Sequence, residues 1–138
     1  MEATMKFYWL NQKTRDEVLA MGRPQLKTLQ RSIFQVESNP ELLKKNCPFA
    51  SLVKSDIKEL REFKKKSKNG YRVFFSLLPE FSGAVLIGKS QKKSSTELAH
   101  QEVNHWIELS KKICDGEVAY SNLEVTFDFG KSFCGKNI

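Results

Sequence analysis

Residues 57–78 read IKELREFKKKSKNGYRVFFSLL, and the reading of this stretch decides the architecture. Residues 71–78, YRVFFSLL, form a run of aromatic and aliphatic side chains that favours a pleated, half-buried strand. Just before them stands Asn69-Gly70, a strong hairpin signal because both residues accept the positive φ of a tight turn. Residues 57–63 mix apolar and charged positions without a strict period of two. They are expected to pair with 71–78 across the turn at 64–70. A second turn at 79–83 leads to residues 84–89, AVLIGK, which read as a third, buried strand. Connections this short join antiparallel neighbours rather than parallel ones.

Toward the N-terminus, residues 5–10 (MKFYWL) predict a short strand, and Asn11 is placed to cap a helix running through Met21. Asp16 and Glu17 fall in its early turns. Gly22 stops that helix, and Pro24 suits the first turn of the next. There Leu26, Leu29, Ile33 and Val36 recur every three or four residues, giving one apolar stripe that Ser38-Asn39-Pro40 ends. Toward the C-terminus, Ser94 and Glu97 match a capping box ahead of a helix to about Cys114. Leu98, Ala99, Val103, Trp106, Ile107 and Ile113 line one side of it, and Asp115-Gly116 closes it. Residues 120–129 place Leu123, Val125, Phe127 and Phe129 at period two and predict an extra strand. The expected fold is α+β: an N-terminal helical hairpin packed on a small antiparallel sheet, followed by a C-terminal helix. Residues 1–116 form that domain, and 117–138 form an extension with an edge strand and a frayed tail.

The chain has 138 residues, 40% hydrophobic and 28% charged, with a formal net charge of +7. That is one domain's worth of ordinary globular composition. No apolar run approaches a membrane span, and the start carries no secretory pattern. A cytoplasmic location is expected, with Cys47, Cys114 and Cys134 as reduced thiols. Between Lys54 and Lys93 there are eleven basic residues and four acidic ones, so the whole net charge sits in forty residues and the remainder balances. A field concentrated in this way is the footprint of a phosphate-binding face.

Two formal motifs carry no chemistry. Gly83-Ala-Val-Leu-Ile-Gly88-Lys89-Ser90 satisfies the phosphate-loop pattern letter for letter, but its four middle residues are an apolar strand and not a loop of free N–H groups. His100 and His105 are five apart on a helix, about 140° around it, which converges them on neither a metal nor a proton. No metal site and no cofactor is expected. Any chemistry would have to run on basic side chains.

Glu59-Leu60-Arg61-Glu62-Phe63, a polar turn ending in Gly70, Tyr71-Arg72-Val73-Phe74-Phe75, Ala84-Val85-Leu86-Ile87 and Lys89-Ser90-Gln91-Lys92, with Glu97-Leu98-Ala99 after them, together resemble the RelE/HigB superfamily of bacterial toxins. The HigB-like, phage-associated branch is the nearer. The resemblance spans about 52–106 and implies a sheet cradled by helices. It also implies translation inhibition by ribosome-dependent endonucleolytic cleavage of mRNA, which would make the chain an endoribonuclease. The implied partners are the ribosome, mRNA and an antitoxin protein of helix-turn-helix type. Arg61, Arg72, Lys89 and Lys92 are then the expected catalytic residues, with Lys54, Lys65, Lys66, Lys68 and Lys93 on RNA phosphates. Cations on rigid strands would stabilise the charge that develops at a pentavalent phosphate. The expectation is that Arg61 and Arg72, on adjacent strands, flank one phosphate, with Lys89 and Lys92 reaching the same cleft. No histidine, aspartate or tyrosine is placed for proton transfer. Two alternatives stay open: a ParE-like toxin that binds gyrase, and a non-catalytic RNA-binding member.

Overall fold

The structure, a computed structural model, describes residues 5–44, 47, 50–65, 70–90 and 97–127. Five strands form one sheet: β1 (Phe7–Trp9), β2 (Ser51–Leu52), β3 (Leu60–Lys65), β4 (Tyr71–Leu77) and β5 (Ala84–Lys89). Three helices cover it: α1 (Gln12–Leu19), α2 (Arg23–Ser38) and α3 (His100–Cys114). The strand order is β1-β5-β4-β3-β2. β2, β3, β4 and β5 pair antiparallel, as the short connections require, whereas β1 pairs parallel with β5. The sheet is therefore mixed, not purely antiparallel. α1, α2 and everything up to β5 lie between the two parallel strands, length enough for a crossover.

The two faces have separate cores. On one face Phe7, Trp9, Phe63, Val73, Phe75, Leu77 and Leu86 pack with Val18 of α1 and the α2 stripe Leu26, Leu29, Ile33 and Val36. Phe63 and Phe75 stack there with ring centres 4.5 Å apart. On the other face Leu60, Phe74, Val85 and Ile87 meet Trp106, Ile107 and Ile113 of α3, and Phe74 stacks on Trp106 at 4.6 Å. β4 is buried along its whole length because alternate residues feed the two cores. Asn11 caps α1 as its position suggested, its Oδ1 accepting from the Thr14 N–H at 2.9 Å.

Several local expectations need correction. α1 ends at Leu19, short of Met21. β3 begins three residues late, because Ile57 N donates to Lys54 O and bends the chain before Leu60. α3 starts at His100 with Ala99 at its N-cap and no side-chain cap bond, so Glu97 precedes the helix; Ser94, the other half of the expected capping box, lies outside the described residues. Of the expected strand at 120–129, the described residues 120–127 hold one isolated bridge, Tyr8 with Glu124. Around it Val125 N donates to Phe7 O and Trp9 N to Leu123 O, which protects the β1 edge. Residues 128–138 lie outside the described residues. None of the described helices is long and apolar enough to cross a membrane.

Candidate functional site

Residues directly opposite on paired strands share a face, and consecutive residues alternate. Arg61 is opposite Phe75, and Lys64 is opposite Arg72. Phe75 belongs to the core under α1 and α2, so Arg61 points to that side. Glu62, Lys64 and Arg72 lie on the α3 side, in line with Phe74. The two arginines do not flank one phosphate.

Arg61 is committed elsewhere. One guanidinium nitrogen donates to Leu43 O at 2.6 Å, and Nε donates to Lys58 O at 3.0 Å. Burial lowers the pKa of this group, yet an arginine remains charged at neutral pH. Its position and bonds tie the turn at Pro40–Lys44 to β3, which is a structural task.

A bulge redirects Lys89. Phe75 pairs with Leu86, but Phe74 pairs with Gly88, so Ile87 is an extra residue on β5. Without it, Lys89 would stand opposite Arg72. With it, Lys89 pairs with Val73 and turns to the α2 side, and Ser90 N donates to Arg72 O at 3.0 Å. Gly88 is essential to this arrangement: its φ is +154°, and an added Cβ would sit 2.6 Å from the Trp106 ring.

What the fold does assemble is a polar group on the α3 side, at the end of the sheet where the basic turn and the segment after β5 both leave. Arg72 Nε lies 3.9 Å from Glu62 Oε1, both side chains being buried. Lys64, half-buried, continues β3 beyond them, and buried Ser90 follows β5 beside them. Burial pushes the Glu62 carboxyl above its ordinary range, against the pull of Arg72 and Lys64. Its Oε1 accepts no hydrogen bond among the described residues. Trp106 closes the inner side, its Nε1 donating to Glu102 at 3.2 Å.

The other expected site residues divide between two places. Lys65 is on the α2 side, its Nζ donating to Thr28 Oγ1 at 3.4 Å. Lys54 is exposed in the connection between β2 and β3. Lys66, Lys68, Lys92 and Lys93 lie outside the described residues. Glu62, Lys64 and Ser90 were missed by motif reading. Hairpin pairing was the available signal for Glu62 and Lys64, but it depends on a turn length that Asn69-Gly70 alone does not settle. The phosphate-loop match is a strand in the structure, with its four middle residues buried in β5.

No family model and no curated protein matches the chain. Among solved structures it is similar to the E. coli toxin RelE in the free state, a mutant with two arginines replaced by alanine. The TM-score is 0.54 at 15% identity, covering 78% of this chain and 97% of that one. The chain has the RelE-like α+β fold. At this identity the likeness concerns fold alone and does not reach the HigB-like branch.

Proposed function

We propose that the chain is the toxin of a toxin–antitoxin pair and cleaves mRNA on the ribosome, with its chemistry at Arg72, Glu62 and Lys64. The observation that carries this reading is the buried Arg72–Glu62 pair beside Lys64, on the one face where strand register gathers cation and carboxylate. The RelE-like fold supports it, as do the strand motifs shared with HigB-like toxins and the confinement of the net charge to residues 54–93. The partners that follow are an antitoxin of helix-turn-helix type, the ribosome and mRNA, all in the cytoplasm.

Scission by the RNA's own 2′-hydroxyl needs a proton acceptor and a cation at the phosphate. Glu62 supplies the first. A carboxylate destabilised by burial is a better base than an exposed one, and its Oε1 has no competing donor among the described residues. Arg72 and Lys64 supply the second, held on rigid strands where charge develops. The 2′-oxygen attacks phosphorus, its proton passes to Glu62, the bond to the 5′-oxygen breaks, and that oxygen takes a proton from solvent.

The test is induced expression in bacteria with mapping of message ends. Growth arrest with cuts confined to translated messages is expected. Arg72→Ala should abolish both, and Arg72→Lys, which keeps a cation for Glu62 but loses the planar fork, should lower both. Arrest with intact messages and broken DNA would replace this reading with gyrase poisoning. Normal growth with salt-sensitive RNA binding would leave a binding module without catalysis.

A further inference from the structure

Residues 120–127 carry a strand-like, period-two pattern, yet among the described residues they meet β1 in a single bridge, Tyr8 with Glu124. The hydrogen bonds around that bridge show why the ladder stops. Val125 N donates to Phe7 O at 2.8 Å, and Trp9 N donates to Leu123 O at 3.1 Å. A longer antiparallel ladder would add Phe7 N to Val125 O on one side and Leu123 N to Trp9 O on the other. Side chains take both of these N–H groups instead. Phe7 N donates to the Glu37 carboxylate of α2 at 3.1 Å, and Leu123 N donates to Ser121 Oγ at 3.0 Å.

Each interception has a physical reason. A hydrogen bond to a carboxylate is roughly twice as strong as one to a peptide carbonyl. Glu37 is also fixed in the last turn of α2, where its own carbonyl accepts from Met5 N at 3.2 Å. Ser121 closes a local turn onto the N–H two residues ahead, the way serine hydroxyls compete with sheet ladders. Little else opposes a longer ladder. The Lys6–Glu124 ion pair, at 3.5 Å, is more than half exposed on both partners, and such pairs contribute little. Ser121 N is shared between Trp9 O at 3.0 Å and Leu10 O at 3.2 Å, so it keeps an acceptor when Leu123 N takes up Trp9 O. Val125 is buried and Phe127 sets its ring edge-on to Trp9 at 6.3 Å, which anchors the segment in the register the longer ladder needs.

We propose that residues 121–127 are a two-state strap, held at a single bridge by Glu37 and Ser121 and ready to close onto β1 as a sixth strand when either side chain lets go. Closing at one end passes Phe7 N from Glu37 to Val125 O. Closing at the other passes Leu123 N from Ser121 to Trp9 O. Hydrogen bonds change partners, and no covalent bond is made or broken. The device sets how firmly the outer edge of β1 is covered, because an edge paired along its length is closed to strands of other chains. It does not rest on the chemistry proposed at Arg72, Glu62 and Lys64.

The full-length protein, isotope-labelled for NMR, tests this through scalar couplings across hydrogen bonds and through amide exchange. In the wild type, Val125 N should couple to the Phe7 carbonyl and Trp9 N to the Leu123 carbonyl, while Phe7 N and Leu123 N show no ladder coupling. Glu37→Ala should create a coupling from Phe7 N to the Val125 carbonyl, with Phe7 exchange no faster than before. Ser121→Ala should create one from Leu123 N to the Trp9 carbonyl and slow Leu123 exchange by about tenfold, the worth of one hydrogen bond. Glu37→Gln keeps an acceptor for Phe7 N and should match the wild type. Each variant judges its own end of the ladder, and Ser121→Ala, outside the core, decides alone if Glu37→Ala does not fold. A wild-type ladder already complete would overturn the proposal. So would faster exchange at Phe7 and Leu123 with no new coupling, the result expected if Glu37 and Ser121 only brace the bridge.

Discussion

Arg61 and Arg72 stand on adjacent strands and face opposite sides of the sheet, one over the α1/α2 core and the other under α3. Their separation assigns them different work. Arg61 holds two backbone carbonyls, whereas Arg72 is paired with a buried carboxylate at the end of the sheet from which the basic turn leaves.

Arg61→Ala is therefore expected to act on stability. Leu43 O and Lys58 O lose their donor, and a buried polar group without a partner costs about 1–3 kcal/mol. Urea unfolding should show a loss of that size. Cleavage per folded molecule should persist, and a folded Arg61→Ala protein without activity would return this residue to the site.

Glu62→Gln is expected to remove activity in the proposed mechanism. A proton acceptor must be ionised, and burial lifts Glu62 above the ordinary 4.5. Wild-type cleavage should thus fall as pH drops through that raised value. The variant should lose this acid limb along with about 10²–10⁴ of the rate, the usual contribution of a general base. An unchanged pH profile would assign the proton elsewhere.

Gly88→Ala should destabilise the fold by about 1–3 kcal/mol, the usual cost of overpacking. The new methyl would meet the Trp106 ring, which is itself stacked on Phe74. Thermal denaturation measures the loss, and Trp106→Leu in the same chain should recover part of it.

Glu37 carries a pH dependence of stability. Its carboxylate accepts from Phe7 N at 3.1 Å, yet burial outweighs that bond and raises its pKa from 4.5. A folded carboxyl with a raised pKa binds more protons than the unfolded one, so stability falls as pH climbs above about 4.5 through the raised value. Glu37→Gln keeps an acceptor for Phe7 and removes the titration. Stability of the variant measured from pH 4 to 7 should be flatter than wild type, and an identical slope would refute the assignment.

Much of the scaffold was legible in the order of residues. β4 and β5 stand within one residue of their expected bounds, because continuous apolar runs between turn signals leave few alternatives. The apolar stripe of α2 faces the core as its periodicity required. Element ends were less legible where a bend or a weak cap competed, as before β3 and α3. The parallel β1–β5 pairing joins residues 77 apart, such as Phe7 and Ala84, and no local pattern encodes it.

The sequence by itself determined the α+β class, the hairpin at its centre and the concentration of charge. Only the tertiary structure decided which charges meet. A one-residue change of register reverses a side chain's face, and here the pairing across the basic turn separates Arg61 from Arg72 while the bulge at Ile87 turns Lys89 away. The same alternation brings Glu62 and Lys64 beside Arg72. Charge is a property of composition, but its direction is a property of strand pairing.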